Sequence, residues 1–530
     1  MIDSNTILSA IGASKKALTK QSFAVVCRGS WLSVAQAEIF KQKVALHFPS
    51  VNINIVIKET AGDKNQSTPL HLVEGKDFFT KDIQDFLQSG QADFAIHSMK
   101  DVSGEAFFNQ NYYAIIDRED IRDVAIFNAN IIDKLKNSQP IIIGTSSPRR
   151  SNMATHFLQY ALPQVNATLP NIKAIPIRGN VDVRLHKLET EGVYDGIILA
   201  AAGLNRLLQY APAKKAVAAF LANKKWMYLP LFECPPATGQ GAIVVETVAN
   251  NVDAITILNT IKDTVNHNAI QQERHMAAKY GYGCSQQFGT FHVDLPTISF
   301  TYAAGLNANA TTFTEWKCTT MELCLQEKIV ASSNYMKEFF SYQFDTSIQI
   351  PTTCTTVFIA SHKAIHSNDS VKQLYQKNIW VAGTKTWLAL AKKGLWVNGC
   401  SDGLGIDFID KTWASALVSI VPKDVCIITN TASAANWQQN GRVAVGTYTL
   451  HPALSRHLQT EIETADHIFW TSYQQYQLCK SFLKLTVHHY CLPGQTAILL
   501  QQQGIQPIIF PSIKAFNIWM KKNTLTNNEE

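Results

Sequence analysis

Three observations predict an α/β chain of several domains. Up to about residue 245, short apolar runs alternate with helical patterns, the rhythm of strands and helices packed in layers. At 530 residues the chain is too long for one core, so three or four domains are expected. Its C-terminal third also repeats itself at one fixed offset.

The elements follow in order. Phe23–Val26 reads as a strand running into Arg28, and Val51–Ile57 alternates as a half-buried strand does. Phe94–Ile96, Ile141–Ile143, Ile175–Ile177 and Ile197–Leu199 are further short strands. The polar stretch from Gly62 to Gly75 is long for a connection and is a candidate lid. From about 249 to 345 a helix over Ile261–Tyr280 precedes alternating runs such as Ile298–Tyr302, predicting a small α+β domain. Ser341–Thr356, rich in Ser, Thr and Gln, reads as a linker.

Beyond it, Val357-Phe-Ile-Ala-Ser361 matches Ile468-Phe-Trp-Thr-Ser472, and Val381-Ala-Gly-Thr-Lys-Thr-Trp-Leu-Ala389 matches Leu492-Pro-Gly-Gln-Thr-Ala-Ile-Leu-Leu500. Phe358 to Phe469 and Gly383 to Gly494 are both 111 residues apart. Two matches at one offset predict two similar α/β lobes.

Composition narrows the function classes. A hydrophobic fraction of 46% and a charged fraction of 17% describe a globular chain. The net charge of +6 comes without a basic stripe carrying aromatics, so no nucleic-acid partner is expected. No apolar window is long enough to span a bilayer, and the first twenty residues lack an apolar run with a cleavage site. The ten cysteines are scattered, with no CxxC pair and no zinc spacing. They read as reduced thiols of a cytoplasmic protein, with no metal.

Arginine is scarce and unevenly placed. There are eleven, nine of them between Arg28 and Arg274. Arg28, Arg149, Arg150, Arg178, Arg184 and Arg206 fall where a strand hands over to a helix or loop. Guanidinium is suited to fixed, two-pronged recognition of carboxylate or phosphate, so the pattern predicts one large anion-binding cleft.

Gly144-Thr-Ser-Ser-Pro-Arg-Arg150 follows a strand, with Ser147 placed as an N-cap and Pro148 as the first helical residue. Free N–H groups, Ser146, Ser147 and two guanidiniums would meet there as an anion site; the alternative is a well-capped helix with solvated arginines. Arg178, the Gly179-Asn180 turn and Arg184 repeat the logic. No GxxxxGK[ST] occurs, which disfavours a P-loop nucleotide. His97-Ser-Met-Lys-Asp-Val102 crowds Ser98, Lys100 and Asp101 at a strand end. An acid beside cations can stabilise developing positive charge or pass a proton, or the pair is a surface ion pair. Gly281-Tyr-Gly-Cys-Ser285 sets Cys284 in a glycine-flanked loop, as a nucleophile or an ordinary free thiol.

In order, Val26-Cys-Arg-Gly-Ser30, Gly75-Lys-Asp-Phe-Phe-Thr-Lys81, Ala95–Val102, Arg118-Glu-Asp120, Arg122-Asp123, Gly144–Arg150, Arg178-Gly-Asn-Val181, Arg184-Leu185, Ala202-Gly-Leu-Asn-Arg206, Gly239-Gln-Gly-Ala242 and Gly283-Cys284 resemble hydroxymethylbilane synthase, also called porphobilinogen deaminase. The resemblance spans about 22–345 and implies two lobes like those of periplasmic binding proteins plus a cysteine-bearing third domain. It divides the chain into domain 1 at 20–117 and 220–248, domain 2 at 118–219 and domain 3 at 249–345. It implies a dipyrromethane cofactor on Cys284, on which four porphobilinogen units condense with loss of ammonia. Asp101 would be the catalytic acid, with Lys100 beside it.

The resemblance also implies cofactor contacts from Ser146, Ser147, Arg149, Arg150, Arg184, Lys100 and Asp101. Substrate contacts would come from Arg28, Ser30, Gln36, Lys76, Ser98, Arg178, Arg206 and Gln240. Each pyrrole carries paired carboxylates, so a growing polypyrrole needs fixed cations wherever it leaves water. Asp77, Trp31 and Ser103 depart from the family's usual glycine and prolines without removing any of these positions.

The repeat, over about 350–525, resembles uroporphyrinogen-III synthase, chiefly through Gly383-Thr-Lys-Thr386, Thr471-Ser472 and Gly494-Gln-Thr496. That implies a two-lobed α/β region closing the linear tetrapyrrole, with Thr471, Ser472, Tyr473 and Thr496 as candidate contacts. The opening strand–helix unit of such a region is not evident between Asp345 and Thr356, so a non-catalytic interaction module is the alternative there. For the whole chain, the alternative to a monomeric enzyme is a two-lobed polycarboxylate-binding protein, which would have no use for Cys284 or Asp101.

Overall fold

The computed structural model describes residues 18–60, 80–102, 111–281, 286–318, 327–345 and 349–525, with side chains to Lys521. The candidate lid, Lys76 and Asp77 after it, the loop with Cys284, and Ser103 lie outside the described residues. The chain divides into two compact units, Met1–Glu119 with Gly241–Asn268, and Asp120–Gln240 with Ala269–Glu530. Each holds a mixed five-stranded sheet with helices, compatible with a lobe of a periplasmic binding protein.

In the first unit a five-stranded sheet runs Asn52–Ile57, Ser22–Cys27, Phe94–Ser98, Ala242–Val248, Asn111–Arg118. The first three strands are parallel, and Ala242–Val248 lies antiparallel between its two neighbours. The chain leaves Ser22–Cys27 for one side of the sheet and returns on the other as Phe94–Ser98. The carboxyl ends of these two strands therefore flank a topological switch point, the usual ligand crevice of such sheets. Helix Trp31–His47 covers one face through Phe40 and Val44, and Phe40 meets Phe94 edge-on at 4.9 Å. Burying one such ring contributes about 1.5–3 kcal/mol.

In the second unit a five-stranded sheet has the same plan: Ile172–Ile175, Ile141–Gly144, Gly196–Ala200, Asp123–Phe127, Lys225–Tyr228. The strand predicted at Ile175–Ile177 lies at Ile172–Ile175. Pro176, with no N–H to give a ladder, stops it there.

Two further features depart from the expected division. Lys225–Tyr228, expected in domain 1, pairs with Asp123–Phe127 in the second unit, while Ala242–Val248 pairs in the first. The helix predicted over Ile261–Tyr280 lies at Thr264–Ala278, and a separate helix, Val252–Ile261, precedes it, with Ile257 and Leu258 packed in the first core. Asp263 separates them, its Oδ1 accepting from Asn266 N at 3.0 Å as a fresh N-cap.

The second unit also holds a three-stranded meander, Phe288–Leu295, Ile298–Leu306 and Thr312–Cys318. Two more sheets follow, and the sequence repeat maps onto them. Thr356–Ile359 pairs in parallel with Asn378–Val381 in a six-stranded sheet; His467–Trp470 pairs in parallel with His488–Cys491 in a four-stranded one. Gly383 and Gly494 then open the helices Thr384–Ala391 and Gln495–Gln502.

Two short strands upstream of Thr356 join these sheets. Ile329–Ala331 pairs in parallel with His467–Phe469, and Phe340–Phe344, expected partly as linker, pairs antiparallel with Ala444–Pro452. At three residues, Ile329–Ala331 is too short to show a period in sequence. No described helix is long and apolar enough to cross a membrane.

Candidate active site

In the first unit the candidate residues gather at the carboxyl ends of the two parallel strands. Arg28 follows Ser22–Cys27, and its N–H donates to Ser33 Oγ at 3.1 Å. Ser30 N-caps the next helix, accepting from Ser33 N at 3.3 Å. Gln36, buried one turn on, donates through Nε2 to Ser98 Oγ at 3.0 Å, joining this helix to the end of strand Phe94–Ser98. A single 3-10 turn, Met99–Asp101, then leaves Lys100 and Asp101 half-buried at the carboxyl end of that central strand. Beneath them His97 Nε2 meets Glu246 Oε1 at 2.8 Å, both side chains buried, which pins the strand from below.

In the second unit Ser146–Arg150 leaves Ile141–Gly144 at the corresponding switch point. Ser147 caps the helix begun by Pro148, as the sequence predicts, with Arg150 N 3.5 Å from its Oγ. Ser146 Oγ donates to Ile177 O at 2.7 Å and accepts from Ile177 N at 3.1 Å, clamping the turn to the chain before Arg178. Gly179 takes a left-handed φ of 112°, and Arg184 Nε donates to its carbonyl at 2.8 Å. Arg206 sits buried in helix Ala201–Gln209, which follows the neighbouring strand Gly196–Ala200 directly.

Arg149 and Arg150 converge on one point, as expected, but an internal carboxylate is there. Asp123 Oδ2 lies 2.8 Å from Arg149 Nη2, and Asp123 Oδ1 lies 2.7 Å from Arg150 Nη2. Arg149 Nη1 also donates to Pro235 O at 2.6 Å, and Arg150 Nη1 to Ile198 O at 3.1 Å. Gln240 turns inward to the same carboxylate, its Nε2 donating to Asp123 Oδ1 at 2.9 Å and to Ile121 O at 2.7 Å. Burial opposes charge on Asp123, but the Arg149 and Arg150 guanidiniums outweigh it and hold the carboxyl well below the usual range. Among the described residues, buried Arg150 Nε has no hydrogen-bond partner, so the pair keeps donor capacity beyond Asp123.

Asp123 is the organising residue that the sequence left without a role. Besides the Arg122-Asp123 motif, its signal is an acid opening the otherwise apolar strand Asp123–Phe127, a costly position unless cations meet it.

In the C-terminal sheets, Ser472 caps helix Tyr473–Cys479 in a capping box with Gln475. Thr471 Oγ1 donates to Gln475 Oε1 at 2.8 Å. Both hydroxyls therefore serve the local cap. Tyr473 packs on Tyr476 at 5.7 Å, and Thr496 is half-buried in the first turn after Gly494.

The family profile described as "Porphobilinogen deaminase, dipyromethane cofactor binding domain" matches residues 23–256. The porphobilinogen deaminase of Alkaliphilus metalliredigens is 36% identical over 265 residues, which are 50% of this chain and 76% of that protein. The chain belongs to the porphobilinogen deaminase family. The porphobilinogen deaminase of Lawsonia intracellularis is 33% identical over 262 residues, 49% of this chain and 76% of that protein. The segment matched by the deaminase profile contains Arg28, Asp101, Asp123, Arg149, Arg150, Arg178, Arg184 and Arg206, and ends before Cys284.

Among solved structures, a uroporphyrinogen-III synthetase from Helicobacter pylori aligns with a TM-score of 0.26 at 13% identity, covering 37% of this chain and 99% of that one. At that score the likeness decides nothing about the C-terminal sheets.

Proposed function

We propose that the chain is a hydroxymethylbilane synthase, condensing four porphobilinogen units head to tail with release of ammonia. The observation that carries this reading is the placement of Arg28, Ser98, Lys100 and Asp101 at one switch point and of Ser146–Arg150 at the corresponding one. Membership of the deaminase family supports it. Two sheet ends armed with cations and hydroxyls suit a chain of pyrroles carrying many carboxylates.

The chemistry of the donors fits a dipyrromethane: the Ser147 hydroxyl at a helix N-terminus, and guanidiniums whose charge Asp123 only half balances. Cys284 would hold that group, which when bound supplies the acceptor pyrrole. Asp101 is the acid, placed to give a proton to the departing amine of porphobilinogen and then, as carboxylate, to stabilise positive charge on the substrate. Lys100 and Arg28 at the same switch point bind substrate carboxylates, with Ser30, Gln36 and Ser98 setting their backbone. Arg178, Arg184 and Arg206 extend the carboxylate contacts in the second unit, with Lys76 as a further cation for them. Intact-protein mass tests the reading. A two-pyrrole increment that disappears in Cys284→Ser supports it, and a wild-type mass equal to the bare polypeptide overturns it.

For residues from about 328 onward we propose a uroporphyrinogen-III synthase-like region of two lobes. The specific observation favouring it is strand Ile329–Ala331, which supplies the opening unit ahead of the two repeated sheets. Supplied with hydroxymethylbilane, an active region forms the type III isomer faster than spontaneous type I closure; type I alone makes it an interaction module.

A further inference from the structure

The carboxylate that gathers Arg149 and Arg150 is held from outside the segment that matches the deaminase profile. Asp402, in a loop of the six-stranded sheet, has a left-handed φ of 55° and a side chain with no exposed surface. Its Oδ1 accepts from Leu231 N at 2.8 Å, and its Oδ2 lies 3.3 Å from Arg122 Nη2. Arg122 Nη1 reaches Thr412 Oγ1 at 3.1 Å and Asp120 Oδ2 at 3.2 Å, and the guanidinium lies 5.1 Å over the ring of Phe408. Thr412 donates in turn to Asp120.

The residues so gripped carry Asp123. Arg122 precedes it in the chain, and Leu229, two residues before Leu231, donates its N–H to Asp123 O at 2.8 Å. One buried carboxylate therefore ties both neighbours of Asp123 to the C-terminal region. That region is itself anchored. Trp387 Nε1 donates to Ala161 O and Trp396 Nε1 to Trp226 O, each at 3.1 Å, and Tyr228 N donates to Asn398 O at 2.7 Å. Ile143 and Leu158 share one continuous apolar core with Val381 and Leu390.

We propose that Asp402 is a positioning residue for the Arg149–Arg150 pair, acting through Arg122 and Leu231 on Asp123, so that the C-terminal region completes the deaminase site. This rests on the reading of Arg149 and Arg150 as cofactor-carboxylate ligands. Without the Asp402 carboxylate, Asp120 is the one described counter-charge left to the buried Arg122, and an under-compensated buried guanidinium moves or draws in water. The Asp123 peptide moves with it, and small shifts in a group that orients charge cost rate without removing any ligand.

The test uses the full chain as Asp402→Asn, Arg122→Met and the double variant, with Trp387→Phe as an interface control away from Arg122. The readings are kcat per cofactor-bearing molecule and the ratios of covalent porphobilinogen adducts seen by intact mass. Lost folded molecules scale all adducts together, whereas a misplaced acceptor changes their ratios. Asp402→Asn is expected to lower kcat per loaded molecule about tenfold and to shift the ratios. The double variant should be no worse than Arg122→Met, and Trp387→Phe should leave the ratios alone. Should Asp402→Asn fail to accumulate as soluble protein, Arg122→Lys reports on the same link with the same expected shift.

A loaded, active wild type whose Asp402→Asn form keeps its kcat and ratios overturns this inference alone, as do effects of the two single variants that multiply. A wild type with no mass increment overturns the underlying reading, and this one with it.

Discussion

Arg150 Nη2 lies 2.7 Å from Asp123 Oδ1 with both side chains out of water, and Arg149 approaches the other oxygen of the same carboxylate at 2.8 Å. Removing the charge on Asp123 leaves two adjacent guanidiniums repelling each other in a buried place. Asp123→Asn is therefore expected to cost about 3–5 kcal/mol, the range for breaking a buried ion pair from one side. Urea unfolding followed by tryptophan fluorescence measures it, and an unchanged midpoint contradicts it.

Gly289 reaches the same network through a close approach. A Cβ there would lie 2.1 Å from Pro235 O, the carbonyl that accepts from Arg149 Nη1, and Thr290 N donates to Pro236 O at 2.9 Å alongside. Backbone cannot yield as a flexible side chain does. Gly289→Ala should cost about 1–3 kcal/mol as an overpacked contact and should lower turnover by displacing Arg149. Paired melting and activity assays check both, and wild-type values in either count against the geometry.

Asp101 is half-buried at the end of its 3-10 turn, where a neutral amide fits as well as a carboxyl. Asp101→Asn should keep the circular dichroism spectrum and lose at least about 100-fold in kcat, the low end for a general acid. Normal product formation would remove Asp101 from the catalytic role.

His489 accepts from Trp470 Nε1 through Nδ1 at 2.9 Å, so the folded protein holds it neutral. Burial, and then His488, lower its pKa from 6.5 to about 4. The sign follows from proton uptake. Between those values the unfolded chain binds a proton that the folded chain does not, so stability falls as the pH drops from about 6.5 to about 4 and changes little from this source above or below. The loss approaches about 3 kcal/mol. Proton NMR of the imidazole, assigned with His489→Gln, should give a midpoint below 5, and titration near 6.5 would refute it.

Much of this was legible locally. Ser147 and Pro148 announce a helix start because an N-cap hydroxyl and a proline ring act within one turn. The offset of 111 residues announces two like sheets because both copies keep the same strand, turn and helix chemistry. Ile329–Ala331 stayed hidden because three residues carry no periodicity and their partners lie more than a hundred residues on. Lys225–Tyr228 was misplaced for a related reason: its composition says strand, and only pairing says which sheet.

By itself, the sequence determined the α/β class, the ordered deaminase motifs, and an economy of arginine kept for the ends of elements. Those are properties of short windows and of residue choice. Only the tertiary structure decided where the guanidiniums point. Arg122 meets Asp402 across 280 residues, and Asp123 gathers Arg149 and Arg150 across a sheet. A buried charge must find its counter-charge wherever the topology brings one close, and proximity of that kind leaves no trace in local spacing.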